Sequence, residues 1–163
     1  MKIGIYFCNC GPNISDKVDS ERVKEKVARL PDVVYFKTVD FICSEEGKTF
    51  LENDLRENMP GRVVIAACSP REHENTFMRM LSKAGINPNL MQMVNIREQV
   101  DWDTADREKA TEKASAYIRG AIARVRHHEP LEKIEMDVCP DVIVIGAGPA
   151  GLKAALSLAE AGS

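Results

Sequence analysis

Four cysteines in the first half of the chain, Cys8, Cys10, Cys43 and Cys68, are the residues whose type and spacing most directly suggest chemistry. Each follows a short apolar run: Cys8 and Cys10 follow Lys2–Phe7, Cys43 follows Val33–Ile42, and Cys68 follows Arg62–Ala67. The intervals between these sites are each about one strand-plus-helix repeat. Successive parallel strands end on the same edge of a sheet, so this spacing delivers all four sulfurs to one rim. Four thiolates together suit a soft metal, either an iron–sulfur cluster or zinc in an all-cysteine site. The spacing is neither the C-x2-C knuckle of structural zinc nor the ferredoxin run. Buried cysteines at strand ends also serve as plain core packing. A disulfide switch pairing Cys10 with Cys43 or Cys68 is a further option if the α-carbons come within about 7 Å. The residues alone leave all of these open.

The second chemical signal is Gly146-Ala147-Gly148-Pro149-Ala150-Gly151, preceded by Val142-Ile143-Val144-Ile145 and followed by an Ala/Leu-rich stretch. This is a strand running into G-x-G-x-x-G and a helix, the context that gives the motif its meaning. Gly146 would make the tight turn, Gly148 would admit a pyrophosphate, and Gly151 would let helix and strand approach. Pro149 fits an early helical position, where its missing N–H costs nothing. The acidic residue that binds a ribose belongs about 20 residues further on, past Ser163. The unit is therefore expected to be the truncated start of a nucleotide-binding domain. Val142–Ile145 is expected to pair with another sheet or with a second copy of the chain, as an exposed edge does.

Elements that could position these residues alternate along the chain. Asp19 is placed to cap a helix with an apolar stripe of Val23, Val27 and Leu30. Ser44, followed by Glu45 and Glu46, opens a second helix. Val63-Val64-Ile65-Ala66-Ala67 has the continuous hydrophobicity of a strand buried on both faces. Ser69, Pro70 and Glu72 form a capping-box pattern before a helix that buries Phe77, Met80, Leu81 and Ala84 and stops at Gly85. Leu90–Ile96 reads as a fourth strand. Asp103 to about His128 reads as one long helix, with Ala110, Ala114, Tyr117, Ile118, Ala121, Ile122 and Val125 inward. Parallel neighbours need crossovers, and helices supply them. The expected fold is α/β, a doubly wound parallel sheet of about four strands, flavodoxin- or Rossmann-like, in the order 2-1-3-4. Strand one then lies between strands two and three, and the thiols meet where open α/β sheets bind ligands. The expected division is 1–130 for this domain, 131–140 for a linker and 141–163 for the nucleotide-binding start.

Composition narrows the class. Of 163 residues, 44% are hydrophobic and 29% charged, enough for a core and too mixed for disorder. A net charge of −3 lacks the footprint of a nucleic-acid or anionic-membrane binder. No apolar run reaches the ~18–20 residues of a transmembrane helix, and the N-terminus lacks a signal-peptide pattern. The expected setting is cytoplasmic, with reduced thiols.

Several short motifs together resemble the heterodisulfide reductase A-subunit family, iron–sulfur flavoproteins of methanogens and related anaerobes. They are Cys8-Asn9-Cys10-Gly11 with Asn13-Ile14, Cys43-Ser44, Cys68-Ser69-Pro70-Arg71 with His73-Glu74, Gly85-Ile86-Asn87-Pro88, Asn95-Ile96-Arg97-Glu98-Gln99 and Lys109-Ala110. They span nearly the whole chain and end at the glycine motif. The resemblance implies a 4Fe–4S cluster on Cys10, Cys43 and Cys68, with Cys8 as the fourth ligand. It also implies an FAD-binding domain beginning at Gly146, Gly148, Pro149, Ala150 and Gly151, partner subunits of a reductase complex, and flavin-based electron bifurcation in the intact assembly. Cys139 lies outside the matched cysteines and is read as a free structural thiol. Three readings follow: an electron-transfer domain, a metal-free or disulfide-switching interaction module, and a zinc-supported nucleotide-binding domain.

Overall fold

The structure, a computed structural model, describes residues 1–132 and 134–162; Lys133, in the expected linker, and Ser163 lie outside the described residues. It divides into two units, Met1–Leu131 and Glu132–Ser163.

The first unit is built on four parallel strands: β1 (Ile3–Cys8), β2 (Val33–Val39), β3 (Arg62–Ala67) and β4 (Met91–Asn95). Their order is β2-β1-β3-β4. Ile5 pairs with Phe36 on one side and Val64 on the other, and Val64 in turn with Gln92. Strand residues alternate between two cores. Ile3, Ile5, Phe7, Val64 and Ala66 face one, with helices α1 (Pro12–Ser15), α2 (Ser20–Val27) and α5 (Arg107–Val125). Tyr6, Cys8, Val63, Ile65 and Ala67 face the other, with α3 (Glu45–Asn58) and α4 (Pro70–Lys83). Burial on both faces explains why β1 and β3 are hydrophobic without alternation. The sheet is the doubly wound α/β arrangement that the sequence pattern implies.

Local chemistry sets most boundaries. The Asp19 carboxylate accepts from the N–H groups of Glu21 and Arg22 and starts α2. Ser44 accepts from Gly47 N–H and starts α3. Ser69 caps α4 through Arg71 N–H, with Pro70 in the first turn. The cap therefore forms at the second position and not as the expected bond to the third. At its other end, Ile86 N–H bonds to Leu81 O (2.9 Å) and Gly85 N–H to Ser82 O (3.0 Å), with Gly85 at φ 80°. This is the doubly bonded glycine stop of a Schellman motif.

Further expectations need correction. The second strand ends at Val39 and not Ile42, because the chain turns at Asp40 and drops Ile42 into the α3–α4 core. α2 ends at Val27, so Leu30 packs from the following turn and not from the helix stripe. The long helix begins at Arg107 and not Asp103, because Asp106 accepts from Lys109 N–H (2.8 Å) while residues 97–101 form a separate wide turn. Tyr117 lies at the exposed edge of α5, and Thr111 and Ser115 are buried instead.

Among its described residues the second unit contains one helix, α6 (Pro149–Ala161), and no strand at Val142–Ile145. Ile143 and Ile145 are 87% and 95% exposed. The expected β-strand does not form because, within this unit, its backbone has no neighbouring strand to bond.

Candidate metal centre and glycine turn

β1 carries Cys8 to the rim of the sheet, opposite Val39, and β3 carries Cys68 there next to the Ala67–Asn95 pair. Both thiols are buried, at 3% and 5% exposure, on the α3–α4 side. Cys43 packs against the same cluster, and Cys10 packs against the cores of both faces. The placement follows from the turns. Asn9 N–H bonds to Val39 O (2.9 Å) and its side-chain amide to Asp40 Oδ1 (2.8 Å), tying the cysteine loop to the end of β2. Cys10 and Gly11 then take left-handed φ values of 50° and 54°, folding the chain back across the rim. Gly11 suits the turn because φ 54° with ψ −140° is backbone that favours glycine, and the Phe41 ring lies over it. Ser44 N–H and Oγ both donate to Phe41 O, which closes the turn that presents Cys43. Gly47 admits this turn, because a Cβ would fall 2.1 Å from Phe41 O.

Electrostatics distinguish the thiols. Burial pushes Cys8 up to about 11; backbone groups at Ile42 and Cys10 pull it down, and Cys10 and Cys43 push it further up. Burial likewise pushes Cys68 up to about 11, opposed by Arg97 and reinforced by Glu98, Cys10 and Cys43. Cys8 Sγ donates to Asp40 O (3.7 Å), and Arg97 Nη1 donates to Cys10 Sγ (3.5 Å). All five cysteines are free thiols. The four rim thiols share one edge and influence one another, but among the described residues no set of three or more His, Cys, Asp or Glu side chains is gathered to hold a metal ion. The donor set is nevertheless that of a soft metal: four sulfurs on one rim, two of them inside an apolar core and one facing a guanidinium.

Histidines and methionines near the sheet and at helix ends have ordinary roles. His73 lies beside Phe77 at the start of α4. His128, just past α5, meets Asn89 O (3.0 Å), and Arg62 donates to the carbonyls of Val125 and His128. Met80, Met91 and Met93 are buried core, with Met78 packed against them. Cys139 is exposed, in the second unit. Sequence reasoning missed Trp102, whose ring centre lies 5.2 Å from the Arg97 guanidinium; its only sequence signal is being the single tryptophan, five residues after Arg97. It also missed Phe41, which covers Gly11.

In the second unit the glycine motif forms a tight turn that runs into a helix. Gly146 sits at φ 110°, Gly148 is the N-cap of α6, and Pro149 and Ala150 open the helix. A Cβ on Gly151 would lie 1.9 Å from Gly146 O, so the turn and helix meet only because that position is glycine. No side chain caps the start of α6.

The chain thus combines a doubly wound α/β domain, with thiols along one rim, and a glycine turn that opens a helix. Residues 141–163 match the family described as FAD binding domain. The chain is 46% identical, over 99% of its length, to the A-subunit of the ferredoxin:CoB-CoM heterodisulfide reductase of Methanosarcina mazei. It is 46% identical to the A-subunit of the H(2):CoB-CoM heterodisulfide,ferredoxin reductase of Methanothermobacter marburgensis, again over 99% of the chain. Over the same share it is 43% identical to the second iron-sulfur A-subunit of the CoB--CoM heterodisulfide reductase of Methanopyrus kandleri. Its resemblance to the heterodisulfide reductase A-subunits thus runs through its whole length. The chain spans about a fifth to a quarter of the length of these relatives, 21% and 25% of the first two. No described helix is long and apolar enough to cross a membrane.

Proposed function

We propose that residues 1–130 form an electron-transfer domain carrying a 4Fe–4S cluster on Cys8, Cys10, Cys43 and Cys68. The observation that carries this reading is the delivery of four free thiols to one rim by three different strand ends. A bound cluster supplies reversible one-electron storage. The chain's residues supply its setting. Cys8 and Cys68 bring ligands from within the apolar core, which limits water at the sulfurs. Arg97 contributes a charged donor at Cys10. The starts of α3 and α4, just after Cys43 and Cys68, favour the anionic form of those sulfurs. Ligation releases protons from thiols that burial otherwise keeps neutral.

In the same reading, residues 131–140 are a linker, and Gly146, Gly148, Pro149, Ala150 and Gly151 begin the site for the diphosphate of FAD. The longer protein works in a cytoplasmic heterodisulfide reductase complex, where electrons pass between this cluster, the flavin domain and partner subunits. Flavin-based bifurcation and methanogenesis-type metabolism belong to that assembly; the role of the present residues is electron relay. Val142–Ile145 is the strand through which the second unit completes a sheet, with the rest of the flavin domain or with a second copy. Support comes from the relatives' names, the FAD-binding match and the exposed isoleucines.

The test is metal, sulfide and visible-absorbance analysis of the chain after anaerobic reconstitution. The expected result is about four iron with matching acid-labile sulfide per chain and a broad visible band. Stoichiometric zinc without sulfide, or a protein that takes up neither metal, would overturn the reading.

A further inference from the structure

Arg97 brings a full positive charge to a sulfur of the rim, and the structure shows how it is held there. Its Nη1 donates to Cys10 Sγ at 3.5 Å. Nη2 and Nε donate to Glu98 Oε1 at 2.7 and 3.2 Å, which fixes the guanidinium plane. The Trp102 ring stacks with it, its centre 5.2 Å from the guanidinium carbon. An indole 58% exposed to solvent adds little to the core; over a cation it stabilises and partly dehydrates the charge.

These residues share one structural device. The wide turn Arg97–Asp101 is closed by Asp101 N–H to Ile96 O (3.2 Å) and Trp102 N–H to Arg97 O (3.0 Å). Its near end is pinned to the sheet by Ile96 N–H to Ala67 O (2.8 Å) and by Glu98 N–H to Asn95 Oδ1 (3.0 Å). Its far end is pinned by Lys17 Nζ to Asp101 O (2.9 Å) and by burial of Val100 and Asp101. Here the turn is anchored beside Cys68, through Ala67, while its arginine reaches Cys10. An ordinary surface ion pair needs no such support and contributes little.

We infer that Arg97, held by Glu98 and Trp102, is a positioning residue that raises the reduction potential of the cluster by a charged hydrogen bond to the Cys10 sulfur. This rests on the cluster reading above. Reduction by a one-electron reductant adds one negative charge to the cluster and its thiolates, without making or breaking a bond. Arginine keeps its proton throughout, so its charge is constant in both redox states. A fixed cation touching sulfur stabilises the more negative state, and charge-assisted hydrogen bonds are the strong ones. The carboxylate of Glu98 engages the far side of the fork, so it orients the cation without standing between it and Cys10.

The experiment is an anaerobic redox titration of the reconstituted chain with dithionite, followed by visible absorbance and by the paramagnetic signal of the reduced state. Arg97→Gln is expected to lower the equilibrium constant for reduction about tenfold, a negative shift of about 59 mV for one electron. Arg97→Lys, which keeps the charge but loses the fork, falls between it and the unaltered chain. Trp102→Leu shifts in the same direction by less. Unchanged potential in Arg97→Gln at equal iron content overturns the inference. Should Arg97→Gln fail to retain iron, unchanged potentials in both Arg97→Lys and Trp102→Leu overturn it. Failure of the unaltered chain to take up iron and sulfide contradicts the underlying cluster reading, and is seen before any potential is measured.

Discussion

The chain contains two apolar runs of similar character, each leading into a glycine turn and a helix that begins with proline. Ile3–Cys8 leads to Gly11-Pro12, and Val142–Ile145 leads to Gly148-Pro149. The first is a completely buried central strand with a parallel neighbour on each side. The second is exposed coil that ends in an otherwise well-formed turn and helix. Local sequence is sufficient for the turn and the helix, because their hydrogen bonds are made within a few residues. A strand is made by its neighbours, and only the first run has them.

The largest expected effect comes from substituting the two runs in parallel. Ile5→Ala should destabilise the sheet unit by about 2–5 kcal/mol, the usual cost of an emptied core position. Ile143→Ala should change it by less than about 0.5 kcal/mol, as exposed substitutions do. Denaturant unfolding followed by circular dichroism measures both, and a comparable cost for Ile143→Ala would break the contrast. The glycines sharpen it. Gly47→Ala forces a Cβ onto Phe41 O and should cost about 1–3 kcal/mol while displacing the turn that presents Cys43. Gly151→Ala meets Gly146 O just as closely, yet should leave the unfolding midpoint of the sheet unit unchanged.

A smaller effect is expected with pH in the metal-free protein. Cys8 and Cys68 titrate at about 11 in the fold, against about 8.5 in an unfolded chain. The thiol form is therefore favoured by folding, and this stabilisation is complete below about pH 8.5. It is lost as pH rises from about 8.5 towards 11. Unfolding free energy measured between pH 8 and 11 should fall, and the fall should flatten in the Cys8→Ala/Cys68→Ala protein. The smallest effect is at the caps: Ser44→Ala and Ser69→Ala should each cost about 1 kcal/mol. Ser44→Ala matters more to the rim, because Ser44 Oγ also donates to Phe41 O.

What can be read from the amino-acid sequence follows the same division. Asp19, Ser44, Ser69, Pro70 and Gly85 announce their helix ends, because a cap is a bond across two or three residues. The helical crossovers announce parallel strands, and the flavodoxin-like order supposed for them is the order found, which brings the strand ends before Cys8, Cys43 and Cys68 to one rim. The wide turn at Arg97–Asp101 cannot be read, because its i-to-i+5 bonds leave no periodic signature and depend on Ile96 being fixed by β3. Trp102 and its place over Arg97 are invisible for that reason. The start of α5 is ambiguous because Asp103 and Asp106 are equivalent as sequence, and only the tertiary arrangement lets Asp106 cap while Asp103 meets Lys113. Val142–Ile145 has the composition of a strand and forms none within its unit, which shows the limit of composition where neighbours decide.

The central claim is that four particular thiols, and not the fifth, hold a cluster. It is tested most directly by counting iron and sulfide in five single variants prepared and reconstituted without oxygen. Cys8→Ser, Cys10→Ser, Cys43→Ser and Cys68→Ser are each expected to lose most of the iron and sulfide, while Cys139→Ser keeps the full amount of the unaltered chain. Full retention in any of the four rim variants, or loss in Cys139→Ser, would contradict it.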